Sequence, residues 1–343
     1  MLTEEFDYHL PPELIAQIPA PRRDKSRMMV LYRHTGKIIH SLFSDFPSYL
    51  NKGDVLVINQ TRVIPARIWG TKAEKEIDFL LLEEVERGTW EVLCRPSRKV
   101  KVNDIIFFPS GLKGKVIQAE ESGKRVIRFS TQDVLKELRK IGYAPLPPYI
   151  KRKKKDQRLK ELDLERYQTV YAKKGQAIAA PTAGLHFTPK ILKKIEQKEV
   201  VLCPISLDVG LATFQPVRVD RVENHNMLEE TYSISQNASA TINRAMKRLH
   251  PVVAVGTTSV RALESAFQKG RLRPGKSSTR LFIYPGYEFK VVDRLLTNFH
   301  LPKSTLLMLV AAFAGLDFIK QAYEEAIRKR YRFYSYGDCM FII

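Results

Sequence analysis

The chain has 343 residues, 44% of them hydrophobic and 27% charged, so it is too apolar for a disordered polypeptide and long enough to bury a large core in two domains. Lys and Arg number 57 against 37 Asp and Glu, a formal net charge of +20 at pH 7. A field of that sign gathers polyanions, nucleic acid before an anionic membrane surface, and says nothing about fold.

The chain opens on MLTEEFDYHLPPELI, which is acidic and broken by prolines and so is no signal peptide. ELIAQI (13–18), following Pro11 and Pro12, predicts a short helix. DVLVIN (54–59), entered from a turn at Lys52-Gly53, predicts a buried strand. From 71 to 130 the pattern changes: EIDFLLLEEV, TWEVLC, DIIFF, GKVIQAE and KRVIRFS are short strands parted by turn residues, a spacing that predicts a small antiparallel barrel. DVLKELRKI (133–141) predicts a helix, PLPPYI (145–150) an extended exit, and KRKKKDQRLKELDLER (151–166) a charge-dense linker or short helix. Beyond 167 strands and helices alternate: VVLCPIS, a helix near 236–249, PVVAV, SVRALESAFQ, LFIYPG, then helices at 304–315 and 317–330. LLMLVAAFAGL (306–316) is too short to span a bilayer and reads as a buried helix. The fold class is therefore α/β, a mixed sheet covered by helices in a three-layer-like core. Residues 1–70 and 156–343 build that core, and 71–155 insert a small antiparallel β-barrel with its basic exit.

Candidate chemistry is sparse. In VVAVGTTSVRALES (252–265) an apolar strand runs through Gly256, Thr257 and Thr258 into a helix. Glycine allows the tight turn, hydroxyls cap the helix, and free N–H groups there suit a phosphate or carboxylate. The same string also serves as a plain N-cap, and without a lysine after the glycine it is no P-loop. In APTAGLHFTP (180–189), Pro181, Gly184 and Pro189 restrict the backbone around Thr182 and His186, so a fixed loop displays a hydroxyl and an imidazole. The plain alternative is a buried turn with a structural histidine. His225 and Glu230 share ENHNMLEE, and His300 lies in LLTNFHLPKST between a strand and a helix. Cys94, Cys203 and Cys339 lie far apart and no Cys/His spacing suits zinc, so neither a disulfide scaffold nor a metal is expected. A reducing, cytoplasmic setting follows, with no membrane association and a monomer favoured over an oligomer. For nucleic acid, Lys151, Arg152, Lys153, Lys154 and Lys155 are consecutive cations, and Arg62, Arg67, Arg95 and Arg98 lie near the barrel strands; such groups track phosphates.

In order along the chain, several segments together resemble the S-adenosylmethionine:tRNA ribosyltransferase-isomerase family of queuosine biosynthesis. They are FDYHLPPELIAQIP (6–19), RRDKSRMMVL (22–31), DVLVINQTRVIPARIWG (54–70), YQTVYAKKGQAIAAPTAGLHFTP (167–189), AVGTTSVRALES, LFIYPGYEFKVVDRLLTNFHLPKSTLLMLVAAFAG and YRFYSYGDCMFI. The barrel window carries almost none of it. The resemblance implies conversion of 7-aminomethyl-7-deazaguanine at the tRNA wobble position to epoxyqueuosine, with release of adenine and methionine. It implies S-adenosylmethionine as co-substrate and no metal, because the sulfonium itself acidifies the adjacent ribose methylene. The protein must then supply a base, a proton donor for adenine and strict orientation.

Carried onto this chain, the resemblance places the reaction centre on the loop of Pro181, Thr182, Gly184 and His186, together with His225 and Glu230. His186 is the first choice as base and Glu230 the second. Gly256, Thr257 and Thr258 are expected to receive the donor's carboxylate, and Arg27, Arg62, Arg67 and residues 151–155 to hold the tRNA. The chain departs from the family pattern at three positions in two motifs, Asp208, Ala212 and Leu228, of which Ala212 lacks the backbone freedom of the family's glycine. Asp208-Val209-Gly210-Leu211-Ala212-Thr213-Phe214 stands for H-V-G-x-G-T-F, so Asp208 substitutes for a histidine as a possible base or acceptor. His225-Asn226-Met227-Leu228-Glu229-Glu230 stands for H-x-M-H-x-E, and Leu228 can handle no proton. The alternative reading is a catalytically impaired RNA-binding relative with the same fold.

Overall fold

The computed structural model describes residues 1–152, 156–210 and 217–343, with only the backbone of Lys174. In chain order, β1 (Arg27–Tyr32), β2 (Lys37–Leu42), β3 (Val55–Asn59) and β4 (Thr61–Val63) come first. They precede β5 (Arg67–Lys72), β6 (Lys75–Glu86), β7 (Thr89–Arg95), β8 (Ile105–Phe107), β9 (Lys113–Ala119) and β10 (Lys124–Phe129). Helices α1 (Val134–Ile141) and α2 (Gln157–Arg166) lead to β11 (Lys174–Ala177), α3 (Pro189–Gln197), β12 (Val201–Leu207), β13 (Glu230–Ile234), α4 (Gln236–Lys247), β14 (Val252–Val255) and α5 (Thr257–Ala266). The remainder holds β15 (Phe267–Gln268), β16 (Arg271–Leu272), β17 (Gly275–Thr279), β18 (Arg294–Asn298), α6 (Thr305–Ala314), α7 (Leu316–Arg328) and β19 (Cys339–Ile342).

Nine of these strands form one mixed sheet in the order β17-β13-β12-β3-β14-β18-β19-β1-β2. Its centre, β12, β3, β14 and β18, is parallel, so four carboxyl ends share one edge. β18 and β19 are antiparallel, which brings the start of β19 to that same edge. All five residues of β3 and all four of β14 are buried, as continuous apolar runs must be when both faces of a parallel sheet are covered. Thr188, Ser235 and Ser304 cap α3, α4 and α6 by accepting a backbone N–H three residues on. α6 is apolar nearly all round and is buried accordingly. No single helix among the described residues is long and apolar enough to cross a membrane.

A second sheet is a closed antiparallel barrel, β10-β7-β6-β5-β8-β9, filled by Ile68, Phe79, Trp90, Val92, Ile106 and Ile127, and β4 with β11 and β15 with β16 form two small pairs. Its strands begin at Arg67, earlier than the change of pattern at 71, because RIWGTK pairs along its whole length with β6. Two other expectations fail. ELIAQI forms only one 3-10 turn, Pro12–Leu14, after which Ile15 bridges to Phe333 and the Ala16 N–H donates to the Phe333 carbonyl at 3.2 Å. Tertiary pairing there outbids a helix too short to nucleate. LFIYPG is not a strand, because side chains serve its backbone instead of a neighbouring strand: the Leu281 N–H donates to Thr279 Oγ1 at 3.0 Å and its carbonyl accepts from Arg261 Nε at 3.0 Å.

Candidate active site

The carboxyl ends of β14 and β18 open on a cleft of ≈ 560 Å³, counted out to its mouth. Its walls are residues 180–183, Gly256–Thr258, residues 297–301, Ser304 and Leu306, with Tyr149, Tyr334 and Ser335. Among the described residues no carboxylate lines it. Gly256 makes the corner from β14 into α5 at φ +86°, a conformation that other residues adopt only under strain. Its N–H donates to the Leu296 carbonyl at 2.8 Å, and its own carbonyl accepts from the Ser259 N–H at 3.1 Å. The N–H groups of Thr257 and Thr258 thus stand at the head of α5 without an intrahelical acceptor. The first turn of α6, with Ser304 and Leu306, lines the same cleft, so two positive helix ends meet there. Thr258 Oγ1 and Asn298 Oδ1 are buried with no hydrogen-bond partner among the described residues. Each orphaned buried group costs about 1–3 kcal/mol, which a bound ligand's polar atoms would recover. The Tyr149 and Tyr334 rings, 4.7 Å apart between centroids, add an aromatic wall suited to a flat base or a cation.

The histidine on the cleft wall is His300, just beyond the end of β18. Its Nε2 pairs with Thr297 Oγ1 at 2.8 Å, its N–H donates to the Tyr323 hydroxyl at 2.9 Å, and its carbonyl accepts from the Tyr8 hydroxyl. Burial pushes its pKa down to about 3, so the imidazole is neutral in ordinary buffers. His186 has a different setting. It ends the 3-10 turn Thr182–His186, and only the front of that loop, Pro181 to Ala183, reaches the cleft. The Ser26 hydroxyl donates its one hydrogen to the Arg23 carbonyl at 2.8 Å, so at 2.6 Å it accepts from His186 Nδ1–H. Nε2 is left to accept from Asn298 Nδ2 at 3.3 Å. Burial lowers the pKa of His186 to about 4, against a smaller upward push from Asn298. Gly184 is required by space: a Cβ there would lie 2.1 Å from the Tyr171 hydroxyl.

None of the other candidate acid–base groups lines the cleft. Glu230 is buried in an ion pair with Arg261 of α5 and accepts the Gly210 N–H at 3.2 Å. His225 is half-buried with its ring edge-on to Phe282 at 5.3 Å, and burial lowers its pKa. Asp208, past the end of β12, is exposed and accepts from Thr61 Oγ1 at 2.8 Å. Leu228 is exposed, while Ala212 lies outside the described residues. The expected tRNA-binding cations also part company. Arg152 forms a two-pronged ion pair with buried Asp163 at 2.6 and 2.9 Å, and Arg67 does the same with Asp78 at 3.0 and 2.6 Å. Arg27 stacks on Tyr331, 3.7 Å from guanidinium to ring centroid, and donates to the Lys329 carbonyl. Arg62 and Lys151 are exposed; Lys153, Lys154 and Lys155 lie outside the described residues. Sequence reasoning did not assign Thr297, Asn298, His300, Tyr149 or Tyr334 to a site, although LLTNFHLPKST carried the signal: polar residues at a strand-to-helix corner of an α/β sheet.

Fold and cleft define the class: an α/β protein with a cleft across the carboxyl ends of its parallel strands, where two helix heads meet. Residues 3–342 match the model of a family described as queuosine biosynthesis protein. The S-adenosylmethionine:tRNA ribosyltransferase-isomerases of Carboxydothermus hydrogenoformans and Moorella thermoacetica are 49% and 50% identical to this chain, over the full length of both partners in each case. The crystal structure of the S-adenosylmethionine tRNA ribosyltransferase from Thermotoga maritima aligns with a TM-score of 0.56 and 39% identity, covering 99% of this chain and 100% of that one. The chain belongs to the queuosine biosynthesis protein family.

Proposed function

We propose that the protein is an S-adenosylmethionine:tRNA ribosyltransferase-isomerase. It moves and isomerises the ribosyl group of S-adenosylmethionine onto 7-aminomethyl-7-deazaguanine at the wobble position of tRNA, giving epoxyqueuosine with release of adenine and methionine. The observation that carries this reading is the cleft, lined by no carboxylate among the described residues, where two helix heads meet the orphaned Thr258 Oγ1 and Asn298 Oδ1. The N–H groups of Thr257 and Thr258 bind the methionine carboxylate, and Tyr149 and Tyr334 lie against the sulfonium or the adenine. His300, on the cleft wall, takes the proton from the ribose methylene beside the sulfonium. The protonated ring then hands that proton to the departing adenine, so one group serves both steps. His186, tied to Ser26 and Asn298, positions Asn298. The aminomethyl nitrogen of the tRNA base then bonds to the ribosyl unit, and epoxide closure breaks the carbon–sulfur bond to free methionine. Residues 71–155, barrel and exit together, serve as a separate domain beside the RNA. Incubation with donor and precursor-containing tRNA tests the reading. Equimolar adenine and methionine are expected, and tRNA binding without adenine release would overturn it.

A further inference from the structure

Beside the small β4–β11 pair and bordered by α1 and α2 runs a groove of ≈ 1210 Å³, counted out to solvent, that the reaction chemistry above does not use. Three cations from separate elements line it: Arg62 on β4, Arg139 on the last turn of α1, and Lys173 just before β11. All three are exposed, and none has an ion-pair or hydrogen-bond partner for its side chain among the described residues. Among the described residues no acid lines the groove, although Asp208, which accepts from Thr61, lies against Gly175 at one end. Two of the expected tRNA-binding arginines, by contrast, are paired with carboxylates: Arg67 with Asp78 and Arg152 with Asp163. Three like charges converging on a concave surface repel one another unless an anion lies between them. The groove also lies close to the cleft. Its floor includes Gly175 and Gln176, and the same chain segment reaches the cleft wall at Ala180, four residues on and so at most about 14 Å away.

From this we infer that the groove is a phosphodiester-binding track, in which Arg62, Arg139 and Lys173 hold the backbone of the tRNA strand a few nucleotides from the one that enters the cleft. The inference rests on the tRNA substrate proposed above and adds where that strand runs. Phosphates need only point charges, so lysine should serve in place of either arginine.

The test uses the full chain and a synthetic anticodon stem–loop RNA, with affinity measured from 50 to 300 mM salt. Arg62→Ala, Arg139→Ala and Lys173→Ala combined should weaken RNA binding at least tenfold at low salt. They should also reduce the slope of log K against log salt by about two, three single-strand contacts at roughly 0.7 each. S-adenosylmethionine affinity, measured by calorimetry on the same sample, should stay within twofold and so reports an intact fold. The pair Arg62→Lys and Arg139→Lys should keep the parent slope. An unchanged slope in the triple alanine variant would overturn the track. So would an equal loss on neutralising Arg87, Lys101 and Lys115, exposed barrel cations that do not line the groove. In both cases the parent still binds RNA and releases adenine, so the enzymatic reading survives. A parent that binds no anticodon RNA ends both.

Discussion

Replacing His300 by alanine separates the two imidazoles as proton carriers. The structural cost is moderate: the bond from Nε2 to Thr297 at 2.8 Å is lost and the buried Thr297 hydroxyl is orphaned, about 1–3 kcal/mol, while the backbone bonds to Tyr8 and Tyr323 do not involve the side chain. The chemical cost is large, because a positioned acid or base contributes about a hundredfold to ten-thousandfold. Single-turnover release of adenine at saturating donor and tRNA should therefore fall by at least a hundredfold in His300→Ala, with the melting temperature lowered by only a few degrees. In His186→Ala the ring is lost from behind Asn298 rather than from the cleft wall. Donor KM should rise several-fold there and the single-turnover rate fall less than tenfold. Turnover within fivefold of the parent in His300→Ala, with a hundredfold loss in His186→Ala, would refute the reasoning and return the base to His186.

Three further outcomes are expected. Gly256→Val should weaken donor binding tenfold or more by calorimetry with tRNA affinity unchanged; Gly256→Ala should share part of the loss, since φ +86° and not a clash is what forbids a side chain there. Stability should fall with acid in a way that the two buried histidines explain. Their folded pKa values, about 4 and about 3, lie below the ordinary 6.5, so the stability they support is complete above pH 6.5 and is lost as pH falls towards those values. Each forfeits about 2 kcal/mol between pH 6.5 and 5, and His186→Asn should shrink the loss seen in urea unfolding by that amount. Arg152→Ala strands Asp163, which Tyr336 also contacts at 2.9 Å, and should destabilise the protein by about 3 kcal/mol, with Asp163→Asn restoring part of it. Equal melting curves for Arg152→Ala and the parent would make that ion pair dispensable.

Where hydrophobic pattern alone decides an element, the sequence was readable. β3 and β14 are apolar runs that sit at the sheet centre, and the close-spaced strands after residue 71 close into a barrel. What escaped was decided at long range. ELIAQI has helical composition, yet Phe333, more than three hundred residues later, claims its backbone. LFIYPG has strand composition, yet Arg261 and Thr279 satisfy its backbone groups. Neither partner could be known from the local string.

The site divides along the same line. Gly256-Thr257-Thr258 was legible because strand, glycine and hydroxyls at a helix head form a local device whose geometry the string fixes. Acid–base roles were not, since an imidazole's chemistry depends on what surrounds it. His186 sits on a proline-bracketed loop and looks poised in sequence, but Ser26 and Asn298, from opposite ends of the chain, occupy both its nitrogens. His300 looks like one more residue at a corner, but the order of β14, β18 and α6 sets it on the cleft wall beside two unsatisfied polar atoms. The basic residues obey the same rule: Arg152 lies within a run of cations and is spent on Asp163, whereas Arg62, Arg139 and Lys173 are far apart in sequence and share a groove that no carboxylate lines among the described residues. Charge that folding leaves unpaired marks where an anionic partner lies better than charge that is merely dense in sequence.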